Sequence, residues 1–193
     1  MHVDPGDDRI PFTIALIGPS GAGKTEVGRR LAGALGRPLV DTDALIVERE
    51  GRSIAEIFEQ DSEDGFRQKE SEAVAEAAAT PDAVVACGGG AVLDPRNVEA
   101  LKGSGVVVYL KVSPEVAAER VGSGNGRPLL TGGPVRRRLE KIIAEREAAY
   151  EAAADRTVDA TGRPEDVVDA LVGIWESVHR PDSELAQRWR LRR

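Results

Sequence analysis

The sequence is poor in the residues that build disulfides and metal centres. Cys87 is the single cysteine among 193 residues, which excludes an internal disulfide and a zinc site that needs several thiolates. The two histidines, His2 and His179, argue against a histidine-built metal centre. No apolar run approaches the ~20 residues that span a bilayer. Residues 1–9 are acidic and lack the apolar segment of a signal peptide, so we expect a cytoplasmic protein with no membrane partner.

Positive charge is also in deficit. The chain has 26 Lys and Arg residues against 33 Asp and Glu, a net charge of −7, which makes it a poor non-specific binder of nucleic acid. Its length is typical of one domain, roughly 100–200 residues. We expect a monomer with a single domain at residues 1–179, beginning with an acidic extension at residues 1–10. A basic tail follows at residues 180–193.

Short apolar runs alternate with segments of helical periodicity. The runs predict strands at residues 12–17, 38–40, 83–87 and 106–110, and residues 156–159 give a weaker signal for a fifth strand. Helices are predicted at residues 24–35, from 53 onwards, at 66–79, 94–103, from 113 onwards, at 135–153 and at 167–178. This alternation predicts an α/β fold with a five-stranded parallel sheet flanked by helices. Residues 122–134, which include five glycines, are predicted to form a mobile loop.

The most specific single motif is a phosphate-binding loop, or P-loop. Residues 18–25 (GPSGAGKT) fit G-x-x-x-x-G-K-[ST] and fall between a predicted strand and a predicted helix. The glycines allow backbone N–H groups to surround phosphates at a helix N-terminus. The motif predicts a nucleotide site formed by Gly21, Ala22, Gly23, Lys24 and Thr25, with Lys24 on the β- and γ-phosphates and the Thr25 hydroxyl on Mg²⁺.

A nucleotide-binding switch is one alternative to an enzyme. Switch GTPases usually read their base through an [NT]-K-x-D motif, and no lysine in this chain follows Asn or Thr. Residues 159–162 match D-x-x-G, but they follow the last predicted strand, where a switch has no γ-phosphate to sense. The sequence therefore favours an enzyme.

Several charged residues fall where ligands bind, beyond the carboxyl ends of the strands. Asp41 is interpreted either as a Mg²⁺ ligand or as a capping residue, and Asp43 as the group that orients or deprotonates an attacking hydroxyl. Arg67 and Glu70 share one helix face, either as a site arginine held by a carboxylate or as a surface ion pair. Arg146 lies on an apolar helix face, where it either extends to solvent or points at an anion.

Taken in order, these residues resemble the shikimate kinase family. The matching pieces are GPSGAGKT at residues 18–25, DTD at 41–43, GRSIAEIF at 51–58, FRQKE at 66–70, CGGGAV at 87–92, RPLL at 127–130 and REAAY at 146–150. The resemblance covers residues 12–178 and implies a P-loop kinase fold with a mobile lid at about residues 122–134. It also implies transfer of the γ-phosphoryl group of ATP, with Mg²⁺, to the 3-hydroxyl of shikimate in aromatic amino-acid biosynthesis.

The resemblance assigns roles residue by residue. Asp43 would hold and activate the substrate hydroxyl, and Arg127 would reach the phosphates from the lid. The remaining shikimate contacts would be Arg67, Gly89, Gly90 and Arg146, with the arginines on the substrate carboxylate. Adenine contacts would come from Arg120, Arg163 and Pro164.

One residue departs from the family pattern. Glu26 stands where the family usually has Ser or Thr, beside the expected triphosphate, and its charge is expected to weaken ATP binding. The second alternative is a gluconate-kinase-like enzyme of the same fold. A polyol substrate without a carboxylate would not need both Arg67 and Arg146.

Overall fold

The computed structural model describes residues 12–124, 126–130, 133–178 and 187. The predicted extension at residues 1–10 lies outside the described residues, as does all of the basic tail except Gln187. Within the described ranges, no helix is both long and apolar enough to cross a membrane.

A parallel sheet forms the centre of the fold. Its strands are β1 (Thr13–Ile17), β2 (Leu39–Asp41), β3 (Val84–Ala86), β4 (Gly105–Lys111) and β5 (Arg156–Asp159). Their order is β2-β3-β1-β4-β5, and all neighbouring pairs are parallel. Every residue of β1 is buried, as expected for a central strand with helices on both faces. The predicted five-stranded parallel α/β sheet is therefore confirmed.

Helices connect the strands and cover both faces of the sheet. They are α1 (Lys24–Leu35), α2 (Thr42–Glu50), α3 (Ile54–Ala79), α4 (Pro95–Ser104), α5 (Pro114–Val121), α6 (Val135–Ala153) and α7 (Pro164–Val178). Short 3₁₀ turns occur at Ala91–Leu93 and Pro128–Leu130. One apolar cluster packs Ile14 and Leu16 against Leu31 and Leu171, and a second packs Ile17 against Val74 and Tyr150. The two clusters fix the sheet between its helical layers.

One part of the helical prediction was wrong, because no helix was predicted at residues 42–50, where α2 lies directly after β2. The two helical segments predicted from Ser53 and at residues 66–79 are both present within α3, and the helical backbone breaks between them at Ser62 (φ 67°, ψ 174°). The predicted capping box is present, because Ser53 and Glu56 each bond the other's backbone N–H.

The segment predicted as a mobile loop is partly anchored. Its 3₁₀ turn ends at Leu130, which is buried in the first apolar cluster, whereas Gly126 and Arg127 are exposed. Residues 125, 131 and 132 lie outside the described residues. The mobility of the segment stays a prediction.

Candidate active site

The P-loop connects β1 to α1 at the carboxyl edge of the sheet. Its backbone needs glycine at Gly21, where φ is +83° and an added Cβ would lie 2.5 Å from the carbonyl oxygen of Ala117. Lys24 folds back over the loop and donates to the carbonyl oxygens of Gly18 (2.8 Å) and Pro19 (2.9 Å). Desolvation lowers the pKa of Lys24 to about 8, although the negative charge of Asp43 opposes the shift.

Thr25 and Asp41 meet at the end of this loop, where α1 begins. The Thr25 hydroxyl donates to Oδ2 of Asp41 over 2.6 Å. The other oxygen, Oδ1, accepts the backbone N–H groups of Asp43 and Ala44 at 3.1 Å each and so caps α2. The interpretation of Asp41 as a capping residue is therefore confirmed. Its other oxygen still faces the Thr25 hydroxyl, so a role of Asp41 at the Mg²⁺ site stays a prediction.

A cavity of about 440 Å³ lies over the P-loop. The sequence-predicted residues that line it are Gly21, Ala22, Gly23, Lys24, Thr25, Glu26, Asp41, Arg120, Arg127 and Pro164. Arg120 donates to the carbonyl oxygens of Ala160 (2.7 Å) and Gly162 (2.9 Å), which fixes the loop after β5 beside the P-loop. Arg163 is not among the lining residues, and its guanidinium pairs with Asp166 over 2.8 Å.

Glu26 lines the same cavity, but two arginines hold its carboxylate. Its carboxylate pairs with Arg29 at 2.5 Å and with Arg30 at 2.7 Å. Arg30 also pairs with Glu165, near the start of α7. The hydrogen bonds from Arg30 and Arg29 lower the pKa of Glu26, so its carboxylate is ionised but sits beside two positive charges.

A second cavity, of about 310 Å³, adjoins the first. Its polar wall contains Asp43, Arg67, Glu70, Gly89, Gly90 and Arg146. The two cavities share Ser20, Asp43, Gly89 and Arg127. The structure therefore brings the predicted substrate residues together on one side of Asp43 and the predicted nucleotide residues on the other.

Arg67 is held in the second cavity by acidic neighbours on its own helix. It donates to Glu70 (2.6 Å), whose side chain is 2% exposed, and to the exposed Glu63 (2.9 Å). Burial raises the pKa of Glu70, and the charge of Arg67 opposes that shift. A Cβ at Gly90 would overlap the Arg67 guanidinium, so a larger residue there would displace the arginine from its present position. Arg67 is thus a half-buried, oriented cation and not a surface ion pair.

Asp43 lies at the junction of the two cavities. Burial raises the pKa of its carboxyl group, and the positive charge of Lys24 opposes the shift. A Cβ at Gly88 would lie 2.6 Å from Oδ1 of Asp43 and 2.6 Å from Oε1 of Glu70, so a larger residue there would displace these carboxylates. The Gly88 N–H donates to the buried Thr42 hydroxyl over 2.8 Å. This bond connects residues 88–90, the glycine loop, to the first turn of α2.

Arg146 reaches the same glycine loop from α6. Its Nη1 donates to the carbonyl oxygen of Gly89 over 3.1 Å. The Tyr150 hydroxyl, one helical turn further on, donates to the same oxygen over 2.6 Å. Arg146 therefore points into the second cavity and does not extend to solvent.

Sequence reasoning missed several lining residues. Phe58 and Phe66 pack together with ring centroids 4.6 Å apart and form an apolar lining together with Ile142. Ser20 was noted only as part of a longer motif, and so was Tyr150, which does not line the cavity but bonds the lining residue Gly89. A signal for the two phenylalanines was present in the sequence, because Phe58 ends GRSIAEIF and Phe66 begins FRQKE, next to the predicted site residue Arg67.

The site can hold two ligands with their reactive groups side by side. One cavity offers a P-loop and a lysine, which suit a nucleoside triphosphate. The other offers two guanidinium groups, which suit a small carboxylate, and an apolar wall that suits a carbon ring. Among the described residues no group of three or more His, Cys, Asp and Glu side chains could hold a metal ion alone.

Comparisons with known proteins agree with this arrangement. The family model "Shikimate kinase" matches residues 20–175. A shikimate kinase of Rhodococcus jostii (strain RHA1) is 43% identical over 158 residues, which cover 81% of this chain and 94% of that protein. A solved shikimate kinase from Acinetobacter baumannii, in complex with shikimate, superposes with a TM-score of 0.84 at 35% identity. That superposition covers 90% of this chain and 97% of the solved one.

A gluconokinase from Sinorhizobium meliloti is more distant. It has a TM-score of 0.54 at 22% identity over 87% of this chain and 94% of that one, and shows a common fold alone. The comparisons favour neither the gluconate-kinase-like alternative nor the nucleotide switch. With a family model that spans most of its length and a relative at 43% identity, the chain belongs to the shikimate kinase family.

Proposed function

We propose that this chain transfers the γ-phosphoryl group of ATP to the 3-hydroxyl of shikimate and so forms shikimate 3-phosphate. The observation that carries this proposal is the junction of the two cavities. They share Ser20, Asp43, Gly89 and Arg127, so an acceptor in one cavity can meet a nucleotide in the other. Asp43 is the carboxylate at that junction. Phosphoryl transfer is catalysed mainly by positioning the two reactants and by stabilising the developing charge.

Asp43 acts on the acceptor hydroxyl. The carboxylate accepts a hydrogen bond from the hydroxyl and turns the hydroxyl oxygen towards the γ-phosphorus. It takes up the proton as the new oxygen–phosphorus bond forms and the bond from the γ-phosphorus to ADP breaks. The raised pKa of Asp43 suits this role, because a more basic carboxylate accepts the proton more readily. Lys24 lies close enough to stabilise the ionised form before the reaction.

Arg67 and Arg146 bind the substrate carboxylate. Both line the second cavity and come from different helices, α3 and α6. Each planar guanidinium can donate two parallel hydrogen bonds to a carboxylate. The rings of Phe58 and Phe66 offer apolar surface for the cyclohexene ring of shikimate. Gluconate is itself a carboxylate, so the two arginines alone do not separate it from shikimate; what it lacks is a ring to pack on that apolar lining.

Mg²⁺ fits beside the P-loop. The Thr25 hydroxyl and the Asp41 carboxylate are 2.6 Å apart, and both line the nucleotide cavity. Mg²⁺ in kinases takes one or two protein oxygens together with phosphates and waters, so this donor pair is sufficient. When bound, the ion supplies positive charge to the β- and γ-phosphates. Lys24 and Arg127 add to that charge from the P-loop and from the lid.

A substrate panel tests the proposal. ADP release from ATP is followed with shikimate, gluconate and a set of nucleoside monophosphates as acceptors, each with and without Mg²⁺. We expect Mg²⁺-dependent turnover with shikimate and at most background rates with the others. Faster turnover of gluconate or of a nucleotide than of shikimate would refute the proposal.

A further inference from the structure

The carbonyl oxygen of Gly89 accepts two hydrogen bonds from α6. Tyr150 donates its hydroxyl over 2.6 Å, and Arg146 donates Nη1 over 3.1 Å. A carbonyl oxygen has two lone pairs, so these donors satisfy it fully. Gly89 lines both cavities, and Arg146 is one of the two arginines assigned above to the substrate carboxylate. The same guanidinium therefore has two possible acceptors, Gly89 and the substrate.

The two donors differ in freedom. Tyr150 is fully buried and stacks on Tyr109 with ring centroids 5.1 Å apart, so its hydroxyl is fixed in place. Burial raises the pKa of Tyr150 to about 12, so the hydroxyl keeps its proton at neutral pH. Arg146 is only half-buried, and its long side chain can turn about several bonds. Only Arg146 is free to leave the Gly89 carbonyl for a ligand.

We propose that Tyr150 is a positioning residue for shikimate binding: its hydroxyl holds the Gly89 carbonyl while Arg146 turns its guanidinium to the substrate carboxylate. This inference rests on the function proposed above. With the hydroxyl present, the Gly89 oxygen keeps a donor when Arg146 leaves. Without the Tyr150 hydroxyl, Arg146 is the remaining one of these two donors, and the Gly89 oxygen loses it when the substrate binds. A carbonyl oxygen left without a donor away from water opposes binding.

Tyr150→Phe tests this role by removing one oxygen atom and keeping the ring. We expect the shikimate KM to rise about 5- to 50-fold, the range expected when a partly buried acceptor loses its donor. The ATP KM should stay within about twofold, because Tyr150 does not line the nucleotide cavity. An unchanged shikimate KM would overturn the inference, and so would an equal rise in both KM values.

Tyr109→Phe is the matched control. It removes a hydroxyl from the other ring of the same stacked pair, but that hydroxyl donates to Glu147 over 2.9 Å and not to the glycine loop. Thermal unfolding of both variants measures any general loss of stability. We expect similar melting temperatures for the two, with a raised shikimate KM in Tyr150→Phe alone. A shikimate KM raised equally in both would assign the effect to packing and overturn the inference.

A double-mutant cycle identifies the partner through which Tyr150 acts. In an Arg146→Ala background no guanidinium has to leave Gly89, so Tyr150→Phe should change kcat/KM for shikimate by less than about twofold. The same fold-loss in both backgrounds would contradict an action through Arg146. Failure of the inference is distinguishable from failure of the proposed function. A wild-type chain that phosphorylates shikimate, with a Tyr150→Phe variant of equal KM, refutes the positioning role alone.

Discussion

Replacing Arg67 by alanine tests both the substrate site and the electrostatics beneath it. Arg67 is assigned to the shikimate carboxylate, and a hydrogen bond between charged groups contributes roughly 1.5–3 kcal/mol. At 1.4 kcal/mol per factor of ten, the shikimate KM should rise about 10- to 100-fold. The ATP KM should change little, because Arg67 does not line the nucleotide cavity. Arg67→Lys should restore binding poorly, since an ammonium group cannot reproduce the planar fork.

The same substitution should also destabilise the fold. Glu70 is 2% exposed and pairs with Arg67 over 2.6 Å, so the variant leaves a buried carboxylate without its cation. Removing one partner of a buried pair costs about 3–5 kcal/mol when the other stays charged. Glu70 can escape part of this cost by binding a proton, because burial already raises its pKa. A raised pKa means that the folded state holds the proton more tightly than the unfolded state. Stability relative to wild type should therefore improve as pH falls towards the ordinary range of a glutamate.

A second substitution separates the two effects. Glu70→Gln in the Arg67→Ala background removes the unpaired charge, so most of the lost stability should return, while the shikimate KM should stay high. Steady-state kinetics with each substrate varied in turn, together with urea unfolding at two pH values, provide the data. A wild-type shikimate KM in Arg67→Ala, or its recovery with Glu70→Gln, would refute the assignment of Arg67 to the substrate.

Three further predictions concern other parts of the site. Glu26→Gln should lower the ATP KM a few-fold at low salt and leave the shikimate KM unchanged, because it removes a negative charge and releases Arg29 and Arg30. An unchanged ATP KM would contradict this and show that the two arginines already neutralise Glu26. Hydrogen exchange in the predicted lid at residues 122–134 should slow when nucleotide and shikimate are added together, and equal exchange with and without ligands would argue for a fixed loop. Burial raises the pKa of Cys87 to about 12, so the alkylation of its thiol at pH 8 should be slower in the folded than in the unfolded chain by a factor of ~10³. Alkylation of the folded and unfolded chains at comparable rates would contradict the burial of Cys87.

Local sequence signals were sufficient for much of the fold. The boundaries of α1 and α6 were predicted correctly, because apolar residues at helical spacing filled both segments and Gly36 marked the end of α1. The strands were found from short apolar runs, since a parallel strand with helices on both faces is apolar throughout. These features depend on residues close together in the chain, which a sequence displays directly.

The errors arose where the decisive contact is distant in sequence. Helix α2 was missed because it buries only Thr42 and Ile46, so no apolar stripe marks it. The burial of Glu70 follows from its fold environment and not from its spacing to Arg67, which also fits a surface pair. Tyr150 was noted only as the last residue of REAAY, and its bond to Gly89 joins residues 61 positions apart. Such contacts appear only when the sheet and its helices are assembled.

The central claim is that Asp43, at the junction of the two cavities, acts on the hydroxyl that receives the phosphoryl group. Rapid-quench single-turnover kinetics of Asp43→Asn tests it most directly, because the amide keeps the shape of the carboxylate but cannot take up the proton. We expect phosphoryl transfer to shikimate to slow by ~10²-fold or more. The dissociation constants of ATP and shikimate should each change by only a few-fold. Transfer at a rate within a few-fold of wild type would contradict this role of Asp43.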